Sequence, residues 1–161
     1  SSSPKLKISL KEDTSENLVK HLDQAKIDFA IFAFPYELPD FIDSFQVFAD
    51  PIYFIQHKNR KSKVIDNGSL LMLEQGHCLR SHILQNNEIS TKQISNFSCT
   101  SISTLVAMVD TNIGVSFLPR MAIDFGILSH YPNINIDLES TKAKRDIGVI
   151  YRKNNLNKNN Y

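Results

Sequence analysis

The chain has 161 residues, 42% of them hydrophobic, and 18 basic against 17 acidic side chains give a net charge of +1. That supplies apolar material for one large domain or two small ones, while the balanced charge excludes a globally basic nucleic-acid binder, and no apolar run reaches the length of a membrane span or has the layout of a secretory signal peptide. The two cysteines, Cys78 and Cys99, make no disulfide framework of the secreted kind and fit a reducing compartment in which an S–S bond would be transient.

Ser1–Ser3 reads as a frayed end and is set aside. Lys5 to Leu10 alternates polar and apolar residues, with Leu6, Ile8 and Leu10 on one face, which predicts a strand. Asp13 and Thr14 offer N-cap oxygens, Glu16 sits in the first turn, and Leu18, Val19, Leu22 and Ala25 make the apolar stripe of a helix from Ser15 to Ala25. Asp28 to Phe34 is apolar on both faces, as a parallel strand covered on two sides would be. Strand, helix, strand in this order predicts a βαβ unit. Pro35 to Ser44 is a loop; Phe45 to Phe48 and Pro51 to Gln56 read as two short strands. The basic run His57 to Lys63 lacks interleaved aromatics and reads as a solvated turn.

Gly68 to Asn87, GSLLMLEQGHCLRSHILQNN, is the most informative stretch. Leu70 to Leu73 is short enough for a buried strand. Glu74-Gln75-Gly76 breaks it, and Leu79, Ile83 and Leu84 then recur at helical spacing. Strand, turn, helix places Cys78 in a first helical turn, where unpaired N–H groups, the helix dipole and the neighbours His77 and Arg80 favour thiolate over thiol. The plainer reading is a small packed residue, the usual fate of a free cysteine. Gln93 to Cys99 follows as a strand, Thr100 and Ser101 cap a helix carrying Ile102, Leu105, Val106, Met108 and Val109, and Asn112 and Gly114 end it. Val115 to Leu118 is a strand, Pro119 opens a short helix through Phe125, Ile134 to Leu138 is a strand, Glu139 to Arg145 a charged turn, and Asp146 to Arg152 the last strand before an Asn-rich tail. The pattern is α/β with parallel sheets. His21, His57, His82 and His130 are scattered and read as surface residues, and no Gly-rich phosphate loop, metal-spaced cluster or nucleophile elbow is present.

The run LLMLEQGHCLRSHIL closely resembles the peroxide-sensing segment of the OxyR-like branch of LysR-type transcriptional regulators. The resemblance continues in PKLKISLKEDTSENLVKHL, KIDFAIFAF, FADPIYFI, CTSISTLVAMVDTNIGVSFLPRMAI and RDIGVIYR, in register from Pro4 to Arg152. It implies a regulatory (effector) domain of the periplasmic-binding-protein type: two Rossmann-like subdomains joined by two crossing strands near Pro51–His57 and Arg145–Arg152. Subdomain I would hold residues 4–50 and 147–161, and subdomain II residues 51–146. Parts of subdomain I, its first strand and helix and its last helix, would be missing, as would the N-terminal winged helix-turn-helix that carries DNA binding in the family.

The resemblance also implies a chemistry. Cys78 matches the peroxide-reactive cysteine, His77 the histidine beside it, Thr14 a threonine that helps hold peroxide, and Arg80 the arginine that favours the ionised thiol. Hydrogen peroxide or a small anion would occupy the cleft. Homodimers or homotetramers would form through the effector domains, with the helices Leu18–Ala25 and Ile102–Val109 as possible faces, and DNA would be reached only through the absent domain. No cofactor or membrane is implied, and the setting would be cytoplasmic. Two positions depart from the pattern: the expected aspartate is Ser81, and the expected resolving cysteine is Asn87. Cys99, also at a strand-to-helix junction, is either a substitute resolving thiol or a packed residue. Rival readings are a LysR-type effector domain binding a metabolite or anion through His77, Arg80, Thr100 and Ser101, a thiol peroxidase or cysteine hydrolase, and a fragment with inert cysteines.

Overall fold

The structure is a computed structural model in which residues 7–139 and 143–153 are described. Its helices are α1 (Ser15–Asp23), α2 (Cys78–Asn86), α3 (Ile102–Asp110) and α4 (Arg120–Asp124). Its strands are β1 (Phe29–Phe34), β2 (Ile42–His57), β3 (Leu70–Leu73), β4 (Ile94–Cys99), β5 (Ser116–Pro119), β6 (Ile134–Asp137) and β7 (Lys144–Arg152). The order along the main sheet is β1-β7-β2-β5, with β6 also on β2, and every one of these pairings is antiparallel. Among the described residues only β3 and β4 pair in parallel, with a parallel bridge from Leu70 to Val115.

The expectation of parallel sheets therefore holds for one small pair alone. β1 and β2 do run in the same direction, but β7 lies between them and runs the other way. Hydrophobic period fixes which face of a strand is buried and says nothing about the direction of its neighbour. The strand expected over Lys5–Leu10 is absent where it is described: residues 7–10 pair with nothing among the described residues, and Leu10 is 92% exposed. Among the described residues the βαβ unit expected there is accordingly not formed. β1 buries Ala30 and Phe32 on its α1 face, whereas on the other face Phe29 and Ile31 are exposed and only Ala33 is buried, so the second side is covered only near its end. The tail beyond residue 153 lies outside the described residues.

The two short strands expected around Phe45 and Tyr53 are one long strand. β2 pairs with β7 up to Pro51 and then with β5 and β6, with a bulge between Gln46 and Phe48. Pro51 lacks an N–H to donate, and it stands where β2 exchanges one set of partners for the other, a position that tolerates the loss. Arg145, expected in a turn, lies in β7 opposite Asp50.

Two apolar clusters result. The smaller gathers Leu22 of α1, Ala30 and Phe32 of β1, Ile42 of β2 and Ile150 of β7. The larger gathers the C-terminal half of β2, all four residues of β3, Leu79 and Ile83 of α2, Leu105, Val106 and Val109 of α3, and Val115 to Leu118. β2 runs from one cluster into the other, and β7 returns alongside it. Gly114 lets the lead-in to β5 lie against β3: a Cβ there would collide with the Ser69 carbonyl oxygen and sit 2.8 Å from Leu71 Cγ. Two of the charges of the basic turn after β2 are paired, Lys63 with Asp137 at 2.6 Å and Arg60 with Asp66 at 2.7 Å. No helix among the described residues is long and apolar enough to cross a membrane.

Candidate functional site

The site is built on the parallel pair. β3 is buried at every position, so its end is rigidly placed, and Glu74–His77 turns the chain into α2. Gly76 makes that turn possible at φ +96°, a backbone region that penalises a Cβ. His77 is the N-cap and makes no side-chain capping bond, leaving its ring free for other contacts. Cys78 is the first helical residue, a half-buried free thiol with no hydrogen bond to its sulfur among the described residues. Arg80 folds back on its own strand, its Nη1 donating to the Leu73 carbonyl at 3.1 Å, and so braces the turn that presents Cys78.

Cys99 closes β4 and sits opposite Leu73 in the parallel register. Both cysteines thus lie at the same edge of one parallel pair, one opening α2 and the other closing β4, but their surroundings differ. Cys99 is 2% exposed, and its thiol lies 3.5 Å from Met108 Sδ. Burial pushes its pKa up, and the charge of Glu74 adds to that, so it is held as a neutral packed thiol. Thr100 is exposed. Ser101 caps α3, accepting from Thr104 N at 3.2 Å and pairing with its hydroxyl at 3.0 Å. Thr14 is exposed and caps α1 through a bond from Asn17 N at 3.4 Å. No hydrogen bond joins Thr14 to Cys78 among the described residues. The helices α1 and α3, considered as oligomer faces, bury Leu22 and Leu105, Val106 and Val109 within their own chain.

Asn87 ends α2. Its Nδ2 donates to the Ile83 carbonyl at 2.9 Å, satisfying one of the orphan acceptors of the helix end. A depression of about 410 Å³ opens beside the Glu74–Gln75 turn, with Arg80 on one wall and Ser95, Phe97 and Ser98 on the other; Cys78 is not among its lining residues. No cluster of three or more metal-ligating side chains exists among the described residues.

Two features carried no clear mark in the sequence. His82, expected at the surface, is 1% exposed, and its Nε2 lies 3.2 Å from the Pro35 carbonyl oxygen. The physical reason is its place on α2 between Leu79 and Ile83, both of which face the larger core; the pattern was legible, but a histidine within it carried no sign of its polar partner. The second is Asp50, 1% exposed, whose Oδ2 accepts from Arg145 Nε at 3.0 Å and Nη2 at 2.9 Å while Oδ1 accepts from Met121 N in the first turn of α4. This pair locks β2 to β7 where the two strands pass between the cores.

The LysR substrate binding domain family model matches residues 1–159. The chain belongs to this family. Among curated relatives, the HTH-type transcriptional regulator EstR of Acinetobacter baylyi is 28% identical over 93% of this chain and 52% of its own length. The DNA-binding transcriptional dual regulator OxyR of Escherichia coli K12 is 30% identical over 92% of this chain and 51% of its own. The chain spans about half the length of these relatives. Among solved structures, the reduced regulatory domain of OxyR2 from Vibrio vulnificus is similar at TM-score 0.82 and 32% identity, over 89% of this chain and 71% of that one. The mixed α/β fold, with its curled sheet and two strands passing between two cores, is that of OxyR regulatory domains, the periplasmic-binding-protein type the resemblance implied. In this LysR substrate binding domain the thiol of Cys78 heads α2, and position 87 carries a helix-capping amide.

Proposed function

We propose that this chain is the regulatory domain of a LysR-type transcriptional regulator in which Cys78 reacts with hydrogen peroxide. One observation carries the reading: a free, half-buried thiol stands at the head of a helix, between His77 and Arg80, in a domain similar to OxyR regulatory domains. The Cys78 thiolate attacks one peroxide oxygen, the O–O bond breaks, and hydroxide leaves and takes a proton to become water. Sulfur is oxidised by two electrons to the sulfenic acid and peroxide is reduced. His77 and Thr14 are the proposed donors to peroxide, and Arg80 the cation that braces the turn.

The signalling state is a modified single cysteine. Asn87 cannot close a disulfide, and Cys99 is a neutral thiol packed against Met108. Modification would alter the packing of α2 and pass to a DNA-binding domain outside this chain, in a cytoplasmic homo-oligomer. The protein would regulate rather than turn over substrate. The division into 4–50 with 147–161 and 51–146 is supported by the two apolar clusters.

A second reading, binding of a metabolite or anion with Thr100 and Ser101 among the donors, is supported by the sulfate-bound E204G mutant of the Vibrio vulnificus OxyR2 regulatory domain, similar at TM-score 0.83 and 33% identity. The two readings separate by the second-order rate of Cys78 thiol loss with peroxide. A rate far above that of a free thiol, abolished in Cys78→Ser, supports the sensor. A rate no faster than free cysteine, with melting raised by an added metabolite or by sulfate, supports the binding domain.

A further inference from the structure

We infer that His82 is a positioning residue for Cys78, tethering α2 to the loop that follows β1. Cys78 and His82 are four residues apart on α2 and share a helix face, where side chains lean back toward the N-terminal turn. Leu79 and Ile83 of the same helix are embedded in the larger core, whereas Pro35 follows Phe34, which packs against the smaller one. The bond from His82 to Pro35 spans 47 residues and ties the helix of the reactive thiol to the other half of the molecule.

The chemistry of the bond fixes which ring nitrogen carries hydrogen. A carbonyl oxygen only accepts, so Nε2 carries the hydrogen and donates it. Burial holds the imidazole below its ordinary pKa, outweighing the upward pull of the bond to the Pro35 carbonyl, and the positive charge of Arg145 on β7 lowers it further. Arg145 is itself anchored to Asp50, so that charge is held in place. His82 is thus a neutral donor, a role that a glutamine amide can reproduce and an apolar side chain cannot.

The test uses the whole chain and two probes of Cys78. Iodoacetamide reports exposure of the thiol whatever its function, and peroxide reports its placement for reaction; only the second arm rests on the proposed peroxide chemistry. In His82→Leu the freed helix should be alkylated about fivefold faster, the change that loss of one internal hydrogen bond permits. Peroxide should react about tenfold more slowly, because the thiol is no longer held in place. His82→Gln should restore both rates to within about twofold of the parent. Opposite movement of the two rates, rescued by glutamine, is the expected result. Unchanged alkylation in His82→Leu, or equal effects of leucine and glutamine, would overturn the tether. Failure of peroxide to react with the parent would remove the sensor reading and leave the alkylation arm standing. The parent also gives an independent reading: long-range proton–nitrogen NMR should find His82 as a slowly exchanging Nε2–H tautomer at neutral pH, and an Nδ1–H tautomer or an imidazolium would overturn the inference even if the leucine variant does not fold.

Discussion

At the scale of single residues, the chain separates two cysteines that its sequence presents as equivalents. Both follow a strand and precede a helix. One opens a helix half-buried, with no hydrogen bond to its sulfur among the described residues; the other is buried with its thiol against Met108. That contrast was unreadable from spacing, because burial depends on which neighbours fold over a position. His82 teaches the same lesson in reverse. Its depressed pKa sets the sign of a pH effect: the unfolded chain takes up a proton near pH 6.5, while the folded imidazole resists it until lower pH. Stability from this group is complete above pH 6.5 and is lost as pH falls through the window below it, at no more than about 1.4 kcal/mol per pH unit. Urea titrations between pH 5 and 7 should show that slope in the parent and a flatter one in His82→Gln. The carboxylates of Asp13, lowered to about 2 chiefly by its bond from Asn17, and Glu16, lowered by Lys20, titrate in a more acid range and do not obscure it.

At the scale of elements, α2 is a rod with a thiol at one end and an amide cap at the other. Its nine residues span about 13 Å, so positions 78 and 87 lie well beyond the roughly 7 Å that a disulfide bridges. In this conformation the cap stabilises the helix that bridge formation would have to unwind. Asn87→Ala leaves the Ile83 carbonyl without its donor and should cost about 0.5–1.5 kcal/mol, read as faster amide exchange confined to the last turn of α2. The crossing of β2 and β7 is the other critical element. Asp50→Ala leaves the half-buried Arg145 without its carboxylate and removes the acceptor of Met121 N in α4, which should cost about 2–4 kcal/mol by urea denaturation. An undiminished midpoint would mean that the pair adds nothing to holding the two strands together.

At the scale of the molecule, the helices α1 and α3 and the buried strand β3 were legible because each carries its own periodic signal. Leu18, Val19 and Leu22 mark one face of α1; Leu105, Val106 and Val109 mark one face of α3. Pairing direction was not legible, since it is decided by chain partners far away: β1 and β2 take opposite edges of β7, which arrives last. Pro51 read as the start of a strand because proline ordinarily interrupts one, yet it falls where β2 changes partners. KISL alternates as a strand should and finds no partner strand among the described residues, showing that pattern proposes a strand and pairing makes it. The site was legible through the GHCLR run, while the Pro35–His82 and Asp50–Arg145 links, which cross from one core to the other, have no local signature.

The most direct test of the central claim, that Cys78 alone carries the peroxide chemistry, is intact mass after stoichiometric hydrogen peroxide, with Cys78→Ser and Cys99→Ser beside the parent. The parent and Cys99→Ser should each gain one oxygen, and Cys78→Ser none. A loss of two hydrogens that needs both cysteines, or an oxygen gained without Cys78, would contradict it.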